Sequence, residues 1–351
     1  MKKFLSHLSK EWLFYLSLFL FFLTSLFFSR FPKITTDEWK VVFTLAVFLV
    51  IIKGLERSGI LKFFACKFER GSCVPLKLIF FTFFLSMFVT NDVALLVVVP
   101  LTVAMEIRDK AKVVILEALA ANGGSALTPF GNPQNLFIYY HYSPSPFQFV
   151  SVILPLSVVT FLLLLFLSPG ADAEVPKDKC TPFRKSGYVY LAFFLLFILT
   201  VLRIFPEWLG TIPLFYVLFF ERKALLIDYF LLLTFLCFFG FTDNLSHHFK
   251  FSLDSSLEVF LYSSIGSQVI SNVPAALFFS EFTDNWKALL WGVSVGGFGS
   301  LVSSMANLIA YRLYTDTEKE ADGRFLLRFH IYGYFFFFTG VFFYFLLFGL
   351  K

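Results

Sequence analysis

The sequence predicts an all-α polytopic membrane protein made of two inverted repeats, with about nine transmembrane helices, two re-entrant hairpins and two discontinuous helices. Three observations carry this. Of 351 residues, 58% are hydrophobic and only 15% charged, and the mean hydropathy of +0.78 places the chain in a lipid bilayer rather than in water. Apolar runs recur from Trp12 to the C-terminus with short polar gaps, so residues 1–351 read as a single membrane domain. Within those runs, polar and glycine-rich breaks come in two matching sets.

Charge orients the elements. The first run, about 11–29, follows Lys2, Lys3 and Lys10, and no small-residue cleavage site follows Phe27-Phe28-Ser29-Arg30, so it is expected to stay as a helix with a cytoplasmic N-terminus. A span at about 40–55 leads to a basic inner loop with Arg57, Lys62, Lys67, Arg70 and Lys77. The next run, Leu78 to Met105, is interrupted by Thr90-Asn91-Asp92, which leaves arms of about 13 residues, each too short for a hydrocarbon core of roughly 30 Å. Its far end carries Arg108, Lys110 and Lys112, so both ends are expected inside, as in a re-entrant hairpin; a polar-interrupted span is the alternative. From Ala111 to His141 runs a helix broken between Ala121 and Asn135 by Gly, Pro and amide residues.

A span at about 147–168 returns to a second basic loop, with Lys177, Lys179, Arg184 and Lys185, and spans at about 187–204, 209–220 and 224–241 follow. Glu258 to Asp284 repeats the hairpin pattern around Ser271-Asn272-Val273, now with acidic flanks (Glu258, Glu281, Asp284) that suit an external hairpin. Trp286 to Tyr311 is the second broken helix and ends at Arg312, Lys319, Arg324 and Arg328. A final span at about 329–349 puts the C-terminus outside, and most of the 29 lysines and arginines then lie in the cytoplasm of a cell with an inner membrane.

Repeat one covers about 37–168 and repeat two about 224–349. Laid over each other without a gap, Gly124 meets Gly296, Thr128 meets Ser300, Asn135 meets Asn307 and Tyr139 meets Tyr311. Thr90-Asn91 corresponds to Ser271-Asn272, and Glu38-Trp39 to Asp228-Tyr229. Because the first hairpin opens inside and the second outside, the halves have opposite topology, the sequence pointer to a transporter site near the bilayer midplane.

Non-helical backbone at membrane depth survives only when buried in protein or lining a wet cavity. Helix N-termini there offer positive dipole ends to an anion, and unwound carbonyls and amide or hydroxyl side chains offer oxygen to sodium. The expected substrate-binding set is Thr90, Asn91, Asn132, Pro133, Asn135, Ser271, Asn272, Ser303 and Asn307, with Gln134 and Ser304 beside them. The expected coupling-ion set is Asp92, Asn91, Gly124, Thr128, Gly297 and Ser300. For any single Ser or Asn, helix packing or capping is the competing role, and the glycines suit backbone geometry better than ligation. Asp92, a carboxylate inside a membrane hairpin, is a sodium ligand, a titrating proton carrier, or a cap on the second arm. Glu117 is either semi-buried or paired at the interface with Lys112 or Lys110. No Lys or Arg is expected in the site, so an anion would rest on amides and helix dipoles.

Other functions find little footing. Basic residues here record topology, so no nucleic acid partner is implied. His7, His141, His247, His248 and His330 lie in termini, loops or span ends without companion ligands, so an enzyme is not expected, nor any cofactor beyond a possible sodium ion. Cys66, Cys73, Cys180 and Cys237 show no CxxC spacing and read as thiols.

The stretches Gly54-Leu55-Glu56-Arg57-Ser58-Gly59, Phe88 to Leu96, Asn122 to Asn135 and Ser271-Asn272-Val273-Pro274-Ala275-Ala276 resemble the ion transporter superfamily. That superfamily groups citrate transporters, divalent anion/sodium symporters, arsenite permeases and sodium/proton antiporters of the NhaD type. The resemblance implies an elevator-type carrier on a scaffold that often forms a homodimer. The symporter branch has Ser-Asn-Thr at each tip; Thr-Asn-Asp here looks more like the permease and antiporter branches, which would make Asp92 a coupling residue. The expected function is secondary transport of a small anion, a carboxylate or an oxyanion such as arsenite or sulfate, by symport with sodium or protons, with a sodium/proton antiporter as the alternative.

Overall fold

The computed structural model describes residues 12–68, 73–169, 182–249, 252–317 and 322–349. Lys2, Lys3, His7, Lys10, Arg70, Lys177, Lys179, Cys180 and Lys319, used above for topology and for the thiol and histidine readings, lie outside the described residues. Among the described residues there are sixteen α-helices and no β-strand. In order they are α1 (Trp12–Phe27), α2 (Thr36–Ser58), α3 (Ile60–Phe68), α4 (Val74–Ser86), α5 (Asn91–Ala104), α6 (Lys110–Ser125), α7 (Pro133–Tyr142), α8 (Pro146–Leu167), α9 (Ser186–Val201), α10 (Thr211–Phe220), α11 (Tyr229–His248), α12 (Ser256–Ile270), α13 (Asn272–Ser280), α14 (Trp286–Gly296), α15 (Met305–Thr317) and α16 (Asp322–Phe348).

Local chemistry sets the ends. α2 opens on a reciprocal capping box, Thr35 with Glu38, and closes on Gly59 in the left-handed conformation. α8 opens on the same device, Ser145 with Gln148, followed by Pro146 at the first helical position. Helix α8, the stretch Arg222–His248 containing α11, and α16 are long and apolar enough to cross a membrane. The first hairpin's arms, α4 and α5, have 13 and 14 residues, or about 20 Å each, so neither crosses alone.

Three expectations need correction. The stretch expected to be a loop after α2 holds a helix, α3, because Ile60, Leu61 and Ala65 fall on one side and are buried while Lys62, Phe64 and Lys67 stay exposed. The span placed at 209–220 is only a 3-10 turn, Glu207–Gly210, and the ten-residue α10, too short to cross by itself. Of the cysteines, Cys237 is a free thiol, but Cys66 is disulfide-bonded, a pairing that sequence spacing does not announce.

Two helices sit at the centre. α6 is buried from Val113 to Ser125 and α14 from Ala288 to Gly296. α4, α5 and α8 pack around α6, and α12, α13 and α16 pack around α14. The sets then interlock in matching pairs: α15 on α5 and α6, α7 on α13 and α14, α16 on α6, and α8 on α14. One polar anchor in this core is the Trp291 indole, which donates to the Val152 carbonyl at 2.8 Å. Outside it, α2 packs on α7, α9, α10 and α11, and α1 packs on α11.

Candidate functional site

Four interruptions meet in this core, and each begins for a local reason. At the first hairpin tip Thr90 is extended (φ −62°, ψ 150°) and its hydroxyl accepts from the Val93 amide at 3.3 Å, which starts α5. Asn132 starts α7 in the same way, accepting from the Asn135 amide at 2.8 Å with Pro133 in the first turn. The second tip is tighter. Ser271 alone separates α12 from α13, at φ 74° and ψ 156°, a positive-φ conformation that costs a residue with a Cβ about 1–3 kcal/mol.

The breaks are then held open by bonds that recur in both halves. Asn135 Nδ2 donates to the carbonyls of Ser125 (3.2 Å) and Thr128 (3.0 Å). Asn307 Nδ2, its counterpart, donates to those of Gly297 and Ser300, both at 3.1 Å. The Thr128 hydroxyl donates to the Met87 carbonyl at 2.7 Å, stapling the first break to its own hairpin, and the Ser300 hydroxyl donates to the Gln268 carbonyl at 3.2 Å. A Cβ on Gly124 would collide with the Phe83 carbonyl and the Ser86 hydroxyl, and one on Gly296 would press on the Ser264 carbonyl and Ser267. Both glycines therefore serve close backbone approach between a hairpin arm and a broken helix.

One residue links the halves. Asn122 is buried on α6 and has all four of its hydrogen-bonding positions filled. Its Oδ1 accepts from Asn91 Nδ2 (3.1 Å) and the Ser304 hydroxyl (3.0 Å); its Nδ2 donates to Asn307 Oδ1 (2.8 Å) and the Gly297 carbonyl (3.2 Å). The first hairpin tip is thereby tied to the second break. In the overlay the position of Asn122 is held by Ser294, whose hydroxyl is buried and, like Asn135 Oδ1, has no hydrogen-bond partner among the described residues.

Beside this knot lies a cavity of about 210 Å³ that reaches Thr90 and Asp92 on α5, Pro133 on α7 and Met305 on α15. Four helix N-termini therefore converge on it, those of α5, α7, α15 and α11. Its opposite wall carries Lys53 and Glu56 of α2, ion-paired at 2.9 Å, and Asp228, which caps α11 by accepting from the Leu231 amide at 3.0 Å. Asp92 is half-buried and its Oδ1 has no hydrogen-bond partner among the described residues, while its amide donates to Asn91 Oδ1 at 3.1 Å. Lys53 corrects the expectation of a site without Lys or Arg: it lies on α2, far in sequence from both hairpins. The cap on the second arm is Thr90, not Asp92, since Thr90 already occupies the Val93 amide.

The sequence-predicted residues thus separate into two groups. Thr90, Asp92 and Pro133 line the cavity. Asn91, Asn132, Asn135, Thr128, Ser300, Ser303 and Asn307 are joined through side-chain hydrogen bonds that hold the tips and breaks. Ser271 reaches the Ser303 carbonyl only at 3.4 Å, and the Asn272 carboxamide lies against Gly297, leaving 2.9 Å to where a Cβ there would be. Gln134 and Ser304 are buried. Glu117 is fully buried and hydrogen-bonded to Thr102 of α5, while Lys110 donates to the Val103 carbonyl instead, so the interfacial pair between Glu117 and Lys110 does not form.

Sequence reasoning passed over Asn122, Gln268, Lys53, Glu56 and Asp228 as site residues. Gln268 binds the Gly296 and Phe298 carbonyls (2.7 and 3.1 Å) and the Ser300 amide (2.8 Å). Asn122 and Gln268 carried a usable signal, an amide in an apolar run three or four residues from a break. Asp228 had surfaced only as an overlay partner of Glu38, and Lys53 and Glu56 looked like an ordinary span end.

Comparison with known proteins agrees with this architecture. Residues 13–296 match the family model described as citrate transporter, a stretch that ends at Gly296 where α14 stops. An uncharacterized transporter of Methanocaldococcus jannaschii is 33% identical over 301 residues, covering 83% of this chain and 84% of that protein. The inner membrane protein YbiR of Escherichia coli is 34% identical over 324 residues, 84% of this chain and 83% of that one. With that match over most of its length and an apolar, all-helical fold, the chain is a multi-pass membrane transporter, not an enzyme, and belongs to the citrate transporter family.

Proposed function

We propose that this transporter carries a small anion, a carboxylate or an inorganic oxyanion such as arsenite or sulfate, by symport with a sodium ion or proton that engages Asp92. The observation that carries the proposal is the convergence of the α5, α7 and α15 N-termini and Lys53 on the cavity that also contains Asp92. Helix N-termini and a lysine attract an anion. The carboxylates of Glu56, Asp92 and Asp228 repel it, and Lys53 already neutralises Glu56. An anion therefore enters at low cost only with a cation that cancels a carboxylate, and Asp92, with an unpaired buried oxygen, is the one poised to take it. Asp228 stays committed to the α11 cap, so Asp92 is the carboxylate that a coupled cation would cancel.

In this reading Thr90, Asp92 and Pro133 touch cargo or ion, and Asn122 with the clamped asparagines keeps the unwound backbone in shape. The recurrence of the Asn135 and Asn307 clamps and of the Thr128 and Ser300 staples supports inverted repeats at about 37–168 and 224–349. The same reading places the protein in the inner membrane with its N-terminus cytoplasmic and C-terminus external, working as an elevator and as a homodimer. The majority of acids over lysine in the cavity favours a second reading, a sodium/proton antiporter with no anion cargo.

Counterflow in proteoliposomes with labelled citrate, succinate, sulfate or arsenite, under imposed sodium or proton gradients, separates the two. Gradient-dependent accumulation of one of these anions is expected. Sodium-dependent proton movement with no uptake of any anion would establish the antiporter instead.

A further inference from the structure

A second cavity, of about 380 Å³, lies apart from the transport site, between the loop joining α5 to α6 and the adjoining ends of α15 and α16. Its lining includes Arg108, Lys110, Arg324 and Arg328 against two carboxylates, Glu106 and Asp109. The base is fixed. Arg328 grips Asp109 with both guanidinium nitrogens (2.8 and 2.6 Å), Asp109 also caps α6 through the Lys112 amide, and Tyr314 stacks on Phe325 at 4.6 Å. Burial would raise the Asp109 carboxyl, but the hydrogen bond and charge of Arg328 outweigh it and hold the group below its ordinary range, so this carboxylate stays ionised and committed. The rim is free. Arg108 and Arg324 are exposed and enter no ion pair among the described residues.

What lies next to the rim identifies the occupant. On α16, Leu327, Ile331, Phe335, Phe338 and Phe342 are exposed by 47 to 64%. At 3.6 residues per turn they form one stripe running away from Arg324 and Arg328 on the same face. A cationic pocket at the end of an apolar stripe matches an amphiphile with a phosphate head and acyl tails, and guanidinium forks suit phosphate oxygens in particular. A free phosphate would use the pocket and ignore the stripe. Basic loops face the cytoplasm, where anionic lipids are concentrated.

We propose that this cavity binds the phosphate headgroup of an anionic phospholipid of the cytoplasmic leaflet, with Arg108 and Arg324 as its recognition groups and the α16 stripe as the seat of its acyl chains. The site stands whichever cargo the transport cavity takes. It joins the base of the first hairpin to α16, so an occupant would brace the two halves.

The test uses the full-length protein in detergent, with phosphatidylglycerol, phosphatidylcholine or inorganic phosphate added at matched phosphorus concentration. Thermal unfolding and native mass spectrometry are the readouts. Phosphatidylglycerol is expected to raise the melting temperature and to appear as a bound adduct, with an effect that shrinks as salt rises. The adduct should weaken roughly fivefold for each guanidinium removed, in Arg108→Gln, Arg324→Gln and the double variant, and not in Lys62→Gln, an exposed control on α3. Equal shifts from phosphatidylcholine, full reproduction by inorganic phosphate, or an undiminished adduct in the double variant would each overturn the proposal. The salt dependence of the unmodified protein tests it even if a variant folds poorly.

Discussion

Asn122→Ala tests the knot that joins the two halves. The substitution removes four hydrogen bonds and leaves Asn91 Nδ2, the Ser304 hydroxyl and Asn307 Oδ1 buried without these partners; the Gly297 carbonyl keeps Asn307 and Ser303. Side-chain hydrogen bonds inside membrane proteins average about 0.6 kcal/mol, so the four bonds together are worth about 2.4 kcal/mol. Three orphaned polar atoms at the low end of the range for buried unsatisfied groups cost about 3 kcal/mol. The two routes agree on a loss of 2–3 kcal/mol by order of magnitude. For a chain of 351 residues an unfolding entropy near 2.1 cal/mol/K per residue turns that loss into a drop of roughly 3–4 °C.

Thermal unfolding of the purified protein, followed by tryptophan fluorescence, reads the shift. Asn122→Asp is the internal control: it keeps the acceptor for Asn91 and Ser304 and loses both donors, so it should fall between wild type and alanine or lower, because Asn307 Oδ1 would then face another acceptor. A melting temperature within 1 °C of wild type for both variants, well below the roughly 3–4 °C expected, would refute the idea that this residue ties the halves.

The other tests address the transport cavity and the carboxylate cluster around Glu281. Asp92→Asn should transport with altered sodium or pH dependence; unchanged ion dependence in proteoliposome uptake would remove Asp92 from coupling. Lys53→Met should raise the KM for an anion about tenfold or more, as expected for losing a charge-assisted bond of 1.5–3 kcal/mol, while an antiporter without anion cargo would keep its sodium affinity. Glu281, just after α13, faces a cavity shared with Glu38 and Asp243, and burial first, then these two carboxylates, push its carboxyl up to about 7. Its proton is held more tightly in the folded state, so its contribution to stability is full below the ordinary value of 4.5 and is lost as pH rises through about 7. Wild type should therefore lose thermal stability between pH 5 and pH 8 relative to Glu281→Gln, and parallel pH profiles of the two proteins would contradict this.

Much of the fold was legible because lipid enforces simple rules. Hydropathy alone separates a membrane chain from a soluble one, arms of about 13 residues are too short to cross, and Thr90, Asn132 and Pro133 are helix starters wherever they occur. The overlay of Asn135 on Asn307 and Thr128 on Ser300 was also readable, since each pair performs the same clamp or staple. Element lengths were less so: α3 hides in a loop rich in lysine, and α10 is cut short by the turn at Glu207–Gly210.

Sequence by itself therefore determined the solvent, the class of fold and the positions of the four breaks, because these depend on local composition and backbone propensity. Only the tertiary structure decided which polar groups face a cavity and which face one another. Lys53, Glu56 and Asp228 reach Asp92 across the packing of α2 and α11 on the core, a proximity no local pattern encodes. Asn122 became the centre of the knot for the same reason: an amide in an apolar helix must satisfy its donors and acceptors, but which partners it meets is set by where the second half docks.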